Sequence, residues 1–102
     1  MADVFEIVRS RVRAEREEDM LKLRPAMIAA VRARFPELIE AKLIRLDDGL
    51  WLDIVRWSSR QAAEQAAAQF DQIPEARAMS ELIEEIVSFE HGTDAEPRAA
   101  AV

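Results

Sequence analysis

Apolar residues recur along the chain with two different periods, and the changes of period divide it into predicted strands and helices. Residues 4–12 carry β-branched side chains in both strand phases, which predicts a strand covered on both faces. From Glu15 to Phe35 apolar residues recur every three or four positions and acidic residues fill the first turn, which predicts an amphipathic helix. Pro25 predicts a kink or short break there, because proline removes the hydrogen bond to the carbonyl of Leu21.

A hairpin and a second helical region follow. The apolar runs 38–46 and 50–57 flank Asp48-Gly49, a dipeptide typical of a two-residue turn between antiparallel strands. Residues 58–70 begin with a capping-box pattern and are rich in alanine, which predicts a helix. Pro74 restarts a helix whose apolar face reaches Ile86.

Residues 86–91 are predicted to form the last strand, although Ile86 could also belong to the preceding helix. The order is then β-α-β-β-α-β, so the predicted fold class is α+β, a ferredoxin-like plait with a four-stranded antiparallel sheet and its helices on one face.

The two-residue turn predicts the register of the hairpin, with Leu46 opposite Trp51 and Ile44 opposite Asp53. One face is then almost wholly apolar and is assigned to the helices. The other face combines apolar and charged side chains with both tryptophans: Glu40, Lys42, Ile44, Leu46, Trp51, Asp53, Val55 and Trp57. Such a patch is larger than a soluble monomer usually exposes, so the sequence predicts a homodimer formed through this free sheet face.

Composition limits the possible functions. The 102 residues suit one domain, predicted over residues 1–91 with a disordered tail over 92–102. Without cysteine and with one histidine, the chain cannot build a thiolate or multi-histidine metal site, and no metal or cofactor is predicted. The net charge of −6 argues against a nucleic-acid partner. The sequence shows neither a signal peptide nor a membrane span, so a cytoplasmic protein without a membrane partner is expected.

Three segments resemble a known family: Arg34-Phe35-Pro36, Asp48-Gly49-Leu50-Trp51 and Val55-Arg56-Trp57-Ser58. Together with the element order, they resemble the antibiotic biosynthesis monooxygenase-like proteins over residues 4–91. The resemblance implies a dimeric α/β barrel and an oxygenase that acts without a cofactor on an aromatic or quinol-type small molecule.

The chain also departs from that family. Many members have a glutamate where this chain has Val55 and a histidine where it has Ala66, and several characterised oxygenases use an asparagine, which is absent here. A non-catalytic homodimeric domain that binds a small ligand, or only assembles, therefore remains the alternative.

Three residues are candidate catalytic residues. Trp57 best matches the family pattern and could stack on a flat aromatic substrate, or could be a core or interface residue. Asp53 could take a proton from a phenol if it is desolvated, or could form an ion pair. An imidazole exchanges protons near neutral pH, so His91 is a possible general base, although it could equally be a partly exposed residue at a strand end.

Overall fold

The structure, a computed structural model, describes residues 2–96. Its elements are β1 (Val4–Val12), α1 (Glu17–Arg34), β2 (Leu38–Arg45), β3 (Trp51–Trp57), α2 (Arg60–Gln69), α3 (Pro74–Ser80) and β4 (Ile83–Thr93). Short 3-10 turns precede α1 and join α2 to α3. The strands form one sheet in the order β2-β3-β1-β4, with every neighbouring pair antiparallel. This arrangement confirms the predicted ferredoxin-like α+β fold.

The helices begin and end close to the predicted positions. α1 continues through Pro25 without a break. The α2 cap is Ser59 rather than the predicted Ser58, because the Ser59 side chain accepts a hydrogen bond from the Ala62 backbone N–H at 3.2 Å. Pro74 stands in the first turn of α3, as predicted, where its missing N–H costs nothing.

The last strand is longer than predicted. β4 begins at Ile83, which pairs with Val12, so the predicted helical face reaching Ile86 is wrong and α3 ends at Ser80. The strand also includes Gly92 and Thr93, which the sequence assigned to the tail. The predicted tail beyond residue 96 lies outside the described residues.

The turn between β2 and β3 contains three residues, not two. The Leu46 N–H donates to the Leu50 carbonyl at 2.8 Å, the Gly49 N–H donates to the Leu46 carbonyl at 3.0 Å, and Gly49 has a φ of 89°. A three-residue loop that ends on a left-handed glycine is a common hairpin connection. Leu46 therefore lies opposite Leu50, and the predicted register is wrong by one residue.

A shift of one residue exchanges the two faces of β3 relative to β2. Trp51 now pairs with Arg45 and Asp53 with Leu43, on the side that faces the helices. Trp57 is 2% exposed and packs in the core with Phe35, their ring centroids 6.5 Å apart. The prediction that both tryptophans lie on the free face is therefore wrong.

The sheet face that points away from the helices is still apolar, but apart from Ile44 its apolar residues differ from those predicted. Its partly exposed apolar side chains are Phe5, Ile7, Ile44, Leu52 and Ile54. Arg56 lies at one end of this face, where it contacts Asp3 at 2.8 Å and stacks over the ring of Phe5. We call this surface the free face.

Candidate functional site

A cavity of about 330 Å³ lies between the sheet and the helices. This volume is at the lower end of the range of small-ligand sites, about 300–1,000 Å³. Most of its wall is aliphatic or aromatic, and a few polar side chains interrupt it. Its aromatic lining residues are Trp51, Trp57, Phe70 and Phe89. A mainly apolar wall with few polar groups is the usual form of a site for a small organic molecule.

The strand register explains how the polar groups come together. On the helix-facing side of the sheet, Glu6 lies between Val55 of β3 and His91 of β4. The next row toward the opposite end of β1 places Asp53 beside Val8. Because diagonal neighbours in a sheet are about 7–8 Å apart at Cα, the two carboxylates belong to one polar cluster.

Glu6 and His91 form a pair at the cavity wall. The Glu6 Oε2 and His91 Nε2 atoms are 3.2 Å apart, and the two side chains are 13% and 18% exposed. Burial raises the pKa of Glu6 above its usual 4.5, and the charge of Asp53 raises it further, whereas the hydrogen bond and charge of His91 lower it. The raised pKa makes Glu6 a stronger base than an exposed glutamate.

Asp53 is occupied by an arginine from the facing helix. Arg24 Nη2 and Nη1 donate to the two Asp53 carboxylate oxygens at 2.8 and 2.9 Å. This bidentate ion pair joins α1 to β3 across the cavity, and both side chains line it. Each oxygen of Asp53 already accepts a charge-assisted hydrogen bond, which leaves the carboxylate a poor acceptor for a substrate proton.

The two tryptophans differ in their hydrogen bonding. Trp51 Nε1 donates to Glu17 Oε2 at 3.1 Å, which holds the start of α1 against the start of β3. Trp57 Nε1 is buried and has no hydrogen-bond partner among the described residues. A buried donor without a partner costs about 1–3 kcal/mol.

The three residues predicted to be catalytic occupy different positions relative to the cavity. Trp57 and Asp53 line the cavity, while His91 lies behind Glu6 and contacts it. Their catalytic roles remain predictions. Sequence reasoning missed Glu6 and Arg24. The signal for Glu6 was its position between Val4 and Val8 in the buried phase of the first strand, where a carboxylate is unexpected.

Comparisons with other proteins support the fold. No family model and no curated protein sequence matches this chain. Among solved structures, a protein from Caulobacter crescentus that bears the name antibiotic biosynthesis monooxygenase superposes with a TM-score of 0.74 and 15% identity, over 93% of this chain and 92% of that one. SnoaB from Streptomyces nogalater, described as a cofactor-independent oxygenase, gives a TM-score of 0.67 and 24% identity, over 93% of each chain. This chain has the antibiotic biosynthesis monooxygenase fold.

A third structure with the antibiotic biosynthesis monooxygenase fold comes from Bordetella bronchiseptica. It covers 93% of this chain and 99% of its own, with 20% identity and a TM-score of 0.69. At these identities the likeness concerns the fold, which is the fold that the resemblance implied. In residues 2–96 we find no group of three or more potential metal-ligating side chains, and no helix long and apolar enough to cross a membrane.

Proposed function

We propose that the cavity binds an aromatic phenol, and that the protein catalyses its oxygenation without a cofactor. The observation that carries this proposal is the composition of the wall, where four aromatic side chains line the same cavity as the largely buried carboxylate of Glu6. The rings suit a flat aromatic molecule, and the carboxylate suits its acidic hydroxyl. SnoaB, described as a cofactor-independent oxygenase, has the same fold.

A hydroxyanthrone illustrates the chemistry. In its hydroxyanthracene tautomer the molecule carries a hydroxyl on the central ring, and loss of that O–H proton gives an electron-rich anion, which can pass electrons directly to O2. The methylene carbon loses both hydrogens and gains one oxygen atom, so that one anthrone and one O2 give one anthraquinone and one water. The protein's contribution is to take the proton and to hold the anion between the aromatic rings of the cavity wall.

Oxygen uptake tests the proposal. Purified protein is mixed with a panel of hydroxyanthrones and quinols, and O2 consumption is followed beside a buffer blank. We expect a rate above the blank for at least one compound. Trp57→Phe should lower kcat/KM by about 2- to 10-fold, because an aromatic pair contributes about 0.5–1.5 kcal/mol and the smaller ring leaves part of the wall open.

Lys22→Met, on the exposed side of α1, is the matched control and should keep the wild-type rate. No rate above the blank for any compound would refute the oxygenase. If aromatic phenols nevertheless bind, the protein is the non-catalytic ligand-binding domain of the alternative hypothesis.

We also propose that two copies associate through the free face. The residues that support this differ from those first predicted: Ile7 and Ile54 are directly opposite each other at its centre, flanked by further partly exposed apolar side chains. A second copy related by a two-fold axis would cover both patches at once. A cytoplasmic location remains a prediction from the sequence.

Sedimentation tests the dimer. Wild-type protein should sediment with twice the chain mass of 11.6 kDa at micromolar concentration. Ile54→Glu places two like charges at the centre of the interface and should give a monomer, whereas Lys22→Met should stay dimeric. A wild-type monomer would contradict the proposal.

A further inference from the structure

We propose that Glu6 is the catalytic base of the site, that His91 positions it, and that the substrate class is an aromatic phenol whose hydroxyl proton passes to Glu6. This inference rests on the proposed function and assigns its first chemical step. It follows from the place of Glu6 on a central strand, where its carboxylate lines the cavity while its neighbour on β4 holds one oxygen.

The geometry leaves one carboxylate oxygen for a ligand. His91 Nε2 lies 3.2 Å from Oε2 of Glu6 and, when it carries a proton, donates to that oxygen. Glu6 lines the cavity and Oε1 has no hydrogen-bond partner among the described residues, so we assign Oε1 as the acceptor. In the transfer the phenol O–H bond breaks, a new O–H bond forms on Glu6, and the negative charge moves to the phenolate oxygen.

The other carboxylates that line the cavity are already engaged. Both oxygens of Asp53 accept from Arg24. Asp71 accepts from the Ser80 hydroxyl at 3.2 Å and is exposed, so water solvates it. Among the carboxylates that line the cavity, Glu6 combines a largely buried side chain, 13% exposed, with a hydrogen bond through one oxygen.

The charged groups around Glu6 come from three elements. His91 approaches from β4, Asp53 from β3, and Arg24 from α1 through its pair with Asp53. Burial raises the pKa of Glu6, which suits a base that must compete for a phenol proton. His91 opposes this rise through its hydrogen bond and charge, so it keeps Glu6 ionised as well as oriented.

Bound 2-naphthol tests proton transfer without requiring turnover. This planar phenol becomes a much stronger acid on excitation, and the naphthol and naphtholate forms emit at different wavelengths. In an apolar site without a base it emits as naphthol. Equilibrium dialysis measures binding, and emission is recorded at a wavelength of excitation that tryptophan does not absorb. We expect naphtholate emission from the wild-type complex, and its loss when the pH is lowered until Glu6 is protonated.

Variants identify the acceptor. Glu6→Gln is nearly isosteric and should bind 2-naphthol but emit as naphthol, whereas Glu90→Gln, an exposed neighbour of His91, should behave as wild type. His91→Phe should weaken naphtholate emission and move its pH midpoint upward, and His91→Gln, which can still donate to Glu6, should restore part of the emission. A purely structural His91 would leave the midpoint unchanged.

The outcomes separate the two proposals. If dialysis shows no 2-naphthol bound to wild-type protein, the aromatic-phenol site fails and the role of Glu6 fails with it. If 2-naphthol binds but wild type emits only as naphthol, or if Glu6→Gln emits as wild type does, the assignment of Glu6 is wrong while the cavity remains a ligand site. With an active substrate, Glu6→Gln should lower kcat/KM by about 100-fold or more.

Discussion

Removal of Arg24 should destabilise the fold, because the Arg24–Asp53 pair is a direct ionic link between α1 and β3 across the cavity. The two side chains are 13% and 26% exposed, and two hydrogen bonds of 2.8 and 2.9 Å join them. Breaking a fully buried pair costs about 3–5 kcal/mol, since it leaves a buried charge alone. Water reaches part of Asp53, so we expect Arg24→Met to cost about 2–3 kcal/mol in the free energy of unfolding.

Urea unfolding followed by circular dichroism measures this cost, and thermal unfolding should show a midpoint about 10–20 °C lower. Arg16→Met is the matched control, because Arg16 pairs with Asp19 at 2.8 Å on the exposed start of the same helix and should cost less than about 0.5 kcal/mol. The double variant Arg24→Met/Asp53→Leu removes both charges and should recover most of the lost stability. Equal costs for the two arginine variants, or no recovery in the double variant, would refute this reasoning.

Three further predictions concern the side chains of Glu6 and Ser59. NMR of the Glu6 carboxyl carbon should give a pKa above 4.5 in the wild-type protein. The pKa of Glu6 should be higher still in His91→Phe and lower in Asp53→Asn. A wild-type pKa at or below 4.5 would contradict the proposed environment of Glu6. Because a raised pKa favours the protonated native state, the stability of wild type relative to Glu6→Gln should fall as the pH rises above 4.5 and level off beyond the native pKa of Glu6. In urea unfolding, Ser59→Ala should lower the free energy of unfolding by about 1 kcal/mol and Ser58→Ala by much less, because Ser59 caps α2. The reverse order would show that Ser58 is the cap, as the sequence predicted.

The hairpin shows where sequence reasoning failed. Asp48-Gly49 correctly marked a turn, but the same residues can close a two-residue or a three-residue loop. Both phases of β3 mix apolar and polar residues, so hydrophobicity did not distinguish the faces. The single-residue difference in loop length placed Trp57 in the core instead of on the free face.

The site was less predictable than the fold. The element order alone predicted the plait, because alternating and helical periods are local properties. The pairings of Glu6 with His91 and of Arg24 with Asp53 join residues that are 85 and 29 positions apart. Strand order and register place those side chains together, and neither is visible in a local pattern. The first strand did contain a clue, since an acidic residue in its buried phase requires a partner.

Oxygenation with isotopically labelled O2 is the most direct test of the cavity as the active site of an oxygenase. A hydroxyanthrone is incubated with the protein, and mass spectrometry of the quinone is combined with O2 consumption. We predict one O2 consumed per anthrone, one labelled oxygen atom in the quinone, and loss of both signals in Glu6→Gln. Unlabelled quinone, or quinone formed no faster than in buffer, would contradict the account.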